Sequence, residues 1–176
     1  ISKLGFEDCV IYLIDKDQKL LVQKAAWGPK TTEENKITNP IKIPFGKGIV
    51  GSVALSNKAE IVNDTSLDKR YIVDDDNRLS EISVPISIAE DVLGIIDCEN
   101  SKKNFYTEKH LQVLTTIASL LANRITRIEA EQFAQKKEIE ILTLKTSSYQ
   151  YQLEVERIVG FFATAISSHN ASEDLL

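Results

Sequence analysis

The chain has 176 residues, 43% of them hydrophobic and 27% charged, with a formal net charge of -5. That composition suits one globular domain plus an extension, and it lacks the basic footprint of a nucleic-acid binder. No apolar run approaches the roughly 20 residues needed to cross a bilayer, so no membrane contact is expected within the chain. The chain starts at Ile1 rather than Met and is expected to be a piece of a longer protein.

Cys9–Ile14 is apolar on both faces and reads as a central strand. Asp15–Lys19 is a polar turn, and Leu20–Trp27 is a second strand, stopped by Gly28-Pro29. Lys30–Asn39 reads as a surface loop. Ile41 and Ile43 resume a strand that ends at Pro44. Gly48 then opens a helix with Ile49, Val50, Val53 and Ala54 on one face. Ile61-Val62 is a short strand, and Asn63–Asn77 is loop, with Asp74-Asp75-Asp76 inside it as a solvated acidic run. Ile82, Val84, Ile86 and Ile88 alternate with small or polar residues, the period of a strand with one dry face. After the turn Ala89-Glu90-Asp91 comes the strand Val92–Glu99, with Gly94 where a side chain would obstruct a neighbour. A hairpin with one dry face needs a covering layer, and the amphipathic helix from Glu108 onward is the obvious cover. Cys9 and Cys98 lie in strands and read as buried reduced thiols of a cytoplasmic protein.

Five stretches in register carry a resemblance. They are Ile43–Gly51 (IPFGKGIVG), Ile61–Asp64, Ser80–Ile86, Gly94–Glu99, and Phe105–Glu108 before the apolar helix. Together, from about residue 5 to residue 128, they resemble a GAF domain. The resemblance implies an α+β fold: a twisted antiparallel sheet with helices on one face and a loop-covered small-molecule pocket on the other. It implies a sensory or regulatory role in a bacterial-type signal-transduction protein of the sensor-kinase kind. The family's first helix would lie before Ile1. By resemblance, the candidate ligand-binding residues are Trp27, Tyr71, Glu81, Ser83 and Asp97. Set against this, Glu81 could simply end a strand, Asp97 could sit at a sheet edge, and the aromatics could be core.

Residues 129–169 read as a signalling helix. Leu111, Leu114, Ala118, Leu121, Ile125, Ile128, Gln132, Gln135, Ile139, Leu142, Thr146, Tyr149 and Leu153 keep a heptad a/d spacing. Past Ile128 little domain is left to cover, so the apolar positions call for another helix, and a homodimer is expected. Thr146-Ser147-Ser148 and Gly160 are weak breaks. Asn170-Ala171-Ser172-Glu173 reads as a capping box that starts a further helix over 170–176. Either a second GAF domain begins there, or the tail folds back as a hairpin.

The chemistry-bearing residues point away from catalysis. Free methionine-sulfoxide reductases, a GAF-like group, carry one cysteine in the Gly-Lys-Gly turn and another in the loop before the core hairpin. Val50 stands at the first position, and the loop 64–80 has no cysteine. The carboxylates that hold that group's substrate amino group match Glu81 and Asp97. His169 follows a stretch resembling the phospho-acceptor box of histidine kinases, but Asn170-Ala171-Ser172 replaces the acidic-Arg-Pro continuation. Two distant histidines, His110 and His169, offer no metal set. Neither the cyclic-nucleotide nor the bilin signature of the family is present, so the cofactor is unknown. The expectation is a non-enzymatic module with no catalytic or metal residues. It would bind a small molecule or partner and act through a dimeric helix on an output kinase or other signalling domain. The alternative is a ligand-free dimerisation and spacer domain.

Overall fold

The computed structural model describes residues 5–29, 31, 37, 40–73 and 76–173, the last nine as backbone alone. Most of the Lys30–Asn39 loop, Asp74 and Asp75, residues 174–176 and the His169 side chain lie outside the described residues. The chain divides into two compact units, Ile1–Thr126 and Arg127–Leu176.

The first unit is a six-stranded antiparallel sheet. Its strands are β1 (Asp8–Asp15), β2 (Leu20–Trp27), β3 (Lys42–Pro44), β4 (Glu60–Val62), β5 (Ser80–Ile88) and β6 (Asp91–Asn100), in the order β3-β2-β1-β6-β5-β4. The β1–β2 turn closes because Asp15 Oδ1 accepts from the Asp17 and Gln18 amides at 3.1 and 3.0 Å. Gly94 lets β6 approach β1: a Cβ there would stand 2.2 Å from the Tyr12 carbonyl oxygen.

Register assigns every side chain of the three central strands to a face, because successive residues alternate. Cys9, Cys98 and Ile82 form one cross-strand row, followed by Ile11, Ile96 and Val84. This face buries Leu114, Ala118 and Ala122 of helix α2 (Glu108–Glu173), together with Phe6 and Tyr106. Those three α2 positions recur every four residues, one stripe of a helix, and each fully buried leucine-sized side chain contributes about 1.5–3 kcal/mol. The His110 ring stacks on Phe105 at 5.4 Å between centroids.

The opposite face carries the alternate rows: Asp8, Glu99 and Glu81; then Val10, Asp97 and Ser83; then Tyr12, Ile95 and Pro85. Helix α1 (Gly48–Ser56) covers its apolar part through Val50, Val53 and Ala54. Gly46 and Gly48 hold positive φ of 77° and 72°, the conformation a tight Gly-Lys-Gly turn requires. Asn57 ends α1 in the left-handed region, its N–H donating to the Val53 carbonyl at 2.9 Å.

The second unit is helical backbone throughout its described length. Helix α2 runs without interruption through Thr146, Gly160 and Asn170 to Glu173. The weak breaks do not interrupt it, there is no hairpin within the described residues, and Asn170 does not start a new helix. Serine and threonine are tolerated there because their hydroxyls bond back along the helix, as Thr146 does to the Leu142 carbonyl at 3.0 Å. Side chains from Arg127 to Thr164 are exposed.

Candidate functional site

The face under α1 ends in a concentration of acid. The row Asp8, Glu99, Glu81 and its neighbour Asp97 place four carboxyl groups side by side on β1, β6 and β5, all buried. Burying that much like charge is costly unless protons, cations or hydrogen bonds offset it. Each kind of compensation is present. Arg78 is buried with its Nη2 4.0 Å from Asp8 Oδ2, and its Nη1 lies 3.3 Å from Asp76 Oδ2. The Ser83 hydroxyl donates to Asp97 Oδ1 and stands 3.2 Å from Glu81 Oε1. Glu81 also hydrogen-bonds Asp97. Burial first, then the charges of Asp97 and Glu99, push the Glu81 carboxyl well above the usual carboxylate range. Glu81 therefore keeps its proton to higher pH than an ordinary carboxyl does.

Residues 64–73 and 76–79 close the acidic end. Arg70 is clamped by Glu60 and Asp68, with Nη1 3.0 Å from Glu60 Oε2 and Nε 3.1 Å from Asp68 Oδ1. The Thr65 hydroxyl donates to the Arg78 carbonyl, and the Arg78 amide donates to Tyr71 Oη at 3.0 Å. Burial, then the neighbouring Glu99 charge, raises the Tyr71 phenol above its ordinary value. On the other side, Gln23 Nε2 donates to Tyr12 Oη at 3.0 Å while its Oε1 accepts from the Ile41 amide at 3.0 Å. That pair ties the approach to β3 onto the floor of the site.

Between these walls lies a cavity of about 20 Å³, floored by Tyr12, Glu81, Asp97 and Glu99 and walled by Ile41, Ile43, Ile49, Val50 and Ile72. That volume holds one water-sized group. An acidic floor under isoleucine walls suits a compact cationic head with an apolar body.

Of the residues selected from sequence, Glu81, Ser83 and Asp97 meet at this floor, and Tyr71 stands beside Glu99 at its edge. Trp27 is not part of it. It pairs with Cys9, which puts it on the α2-facing side of the sheet, and it is 39% exposed. The bulge between Ile11 and Tyr12 shifts the alternation along β2 and turns Trp27, named by resemblance, away from the face that Gln23 shares with the site. Sequence reasoning passed over Glu99, Asp8, Tyr12 and Arg78. Glu99 was accessible: it lies two residues from Asp97 in one strand and so shares its face. The two cysteines lie on the opposite face, Sγ to Sγ 2.9 Å, so any chemistry at this floor rests on carboxyl and phenol groups rather than a thiol.

Residues 1–126 match the family model for the GAF domain. Protein YtsP of Bacillus subtilis is 29% identical over 87 residues, which is 49% of this chain and 53% of that protein. The free methionine-R-sulfoxide reductase of Escherichia coli is 22% identical over 93 residues, 53% of this chain and 56% of that one. The chain thus spans about half the length of the curated relatives it matches. The GAF domain of a Coxiella burnetii phosphoenolpyruvate-protein phosphotransferase superposes with a TM-score of 0.66 at 19% identity, covering 74% of this chain and 77% of that one. Solved free methionine-R-sulfoxide reductases share the fold as well. These reductases correct the expectation of a non-enzymatic module: proteins similar to this chain include enzymes, so the fold gives no ground for excluding catalysis. No described helix is long and apolar enough to cross a membrane.

Proposed function

The chain belongs to the GAF domain family, and from that premise we propose that it is a sensory module whose acidic pocket binds a small molecule through an ammonium group. GAF membership supports a sensory or regulatory role at the coarse level. The ligand class rests on one observation: three buried carboxyls, Glu81 of β5 and Asp97 and Glu99 of β6, converge on a cavity walled mainly by isoleucine. One amine-bearing candidate comes from the Escherichia coli relative, whose name gives free methionine-R-sulfoxide as its substrate.

Occupancy would be transmitted through α2 to an output domain, a kinase or another signalling domain, by biasing two helices paired in parallel. The a/d positions Ile128, Ile139, Leu142, Tyr149 and Leu153 are exposed in one chain. In a parallel pair, Glu131 at g would face Lys136 at e of a second copy, and no g–e pairing from Glu131 to Arg157 sets like charges together. Gln132 and Gln135 would fix the register at some cost in stability. A second reading, a ligand-free dimerisation and spacer domain, draws on the cavity's small size.

Native mass spectrometry of the purified chain, followed by melts with n-butylammonium, butanol, butyrate and free methionine sulfoxide, separates the two. A co-purified amine, or stabilisation by the ammonium compounds alone, supports the sensory reading. No bound species and no stabilisation by any ammonium compound leaves the spacer.

A further inference from the structure

Next to the carboxyl-floored cavity lies an open groove of about 330 Å³, lined by Ile41, Ile43, Pro44, Ile72 and Val73, with Lys42 and Lys47 completing it. Ile41, Ile43 and Ile72 line both spaces. Side chains common to both therefore stand where a ligand would pass from one to the other. The charges are polarised along this path. The inner end holds Glu81, Asp97 and Glu99, the middle is aliphatic, and the outer end holds two lysines. Both lysines are exposed. Among the described residues, no carboxylate lines the groove.

Resting on the pocket reading above, we propose that the site selects an elongated zwitterion: an ammonium head on the carboxyl floor, an aliphatic middle along Ile41, Ile43 and Ile72, and an anionic end at Lys42 and Lys47. Each part answers a physical demand. The cavity admits one water-sized group, which an ammonium is, and its three N–H donors suit a floor of acceptors. The isoleucine walls give no hydrogen bonds, so the middle of the ligand must be apolar. The exposed lysines reward an anion only at the far end. The ligand's two charges are therefore separated by a chain, so methionine sulfoxide, an α-amino acid, answers only to the ammonium part of the site.

Calorimetry on the full chain at low salt tests this with two series of equal chain lengths, n-alkylammonium ions and ω-aminoalkanoates. The expected result is an affinity optimum at one chain length, where the terminal carboxylate tightens binding roughly fivefold over the matching alkylammonium, the yield of one or two exposed ion pairs. Added salt should remove that gain. The double variant Lys42→Gln/Lys47→Gln should abolish it while alkylammonium binding and the melting midpoint stay unchanged. If alkylammonium ions bind but the carboxylate brings no gain, or the gain survives in the double variant, the zwitterion inference falls and the amine-binding reading stands. If no ammonium compound binds at all, both fall.

Discussion

Replacing Glu81 by Gln tests the electrostatics of the site most directly. In the folded chain Glu81 sits beside Asp97 and Glu99 with Ser83 within reach, and burial together with those charges keeps its proton on above the ordinary range. In the unfolded chain the same carboxyl ionises near its usual value of about 4.3. Between those two values the native state binds one more proton than the unfolded state, so unfolding free energy falls as pH rises through that window. The slope is bounded at about 1.4 kcal/mol per pH unit for one proton. Glutamine has the shape of the protonated acid: its amide N–H can donate to Asp97 and its carbonyl can accept. It carries no proton to lose. The wild type and the Glu81→Gln variant should therefore have equal stability near pH 4 and diverge above it. Above that pH the variant should be the more stable of the two, the gap widening by at most about 1.4 kcal/mol per pH unit. Urea unfolding followed by Trp27, the single tryptophan and a residue of β2, reports on the sheet unit. Parallel curves, or a variant less stable at neutral pH, would show that Glu81 is ionised in the fold and would refute the reasoning.

The other expectations concern backbone, seam and core. Gly94→Ala should cost about 3 kcal/mol, because the new Cβ meets the Tyr12 carbonyl at 2.2 Å, whereas Gly48→Val should cost about 1–3 kcal/mol for its positive φ; unchanged denaturant midpoints would contradict both. Replacing Ile139 and Leu142 together by Glu should convert a dimer to monomer in sedimentation equilibrium, and a wild-type chain that stays monomeric at high micromolar concentration rules the parallel pair out. Tyr106→Phe should stabilise the sheet unit by about 1 kcal/mol, since the buried Tyr106 hydroxyl has no hydrogen-bond partner among the described residues. A measured loss of stability in that variant would reveal a bond to the hydroxyl.

Much of the fold was readable because its signals are local. The alternation from Ile82 to Ile88, the polar turns, the Gly-Lys-Gly turn before α1 and the i, i+4 stripe of α2 each follow from a backbone period of two or 3.6 residues. Gly94 was readable as a point of close approach, although the atom it makes room for, the Tyr12 carbonyl, belongs to a strand some eighty positions earlier. Of the site, Glu81, Ser83 and Asp97 came from the resemblance to a GAF domain, and the strand period adds only that Glu81 and Ser83 share one face of their strand. The reach of local signals also ended in α2, where Thr146-Ser147-Ser148, Gly160 and Asn170 suggested breaks. Helix propensity penalties at those positions are small, and the intervening residues sustain the helix.

By itself the sequence determined which residues alternate, which turn and which coil, because these depend on neighbours a few positions away. It could not determine which strand lies beside which. Only the tertiary structure brought Asp8 of β1 and Glu99 of β6 into line with Glu81 of β5, and only the β1–β2 bulge sent Trp27 to the other face. Cross-strand register is fixed by the packing of two buried faces at once, and one slip of a residue exchanges them. The upward shift of Glu81 follows from that register, since an acid's ionisation answers to the charges around it in space and not to its neighbours in the chain.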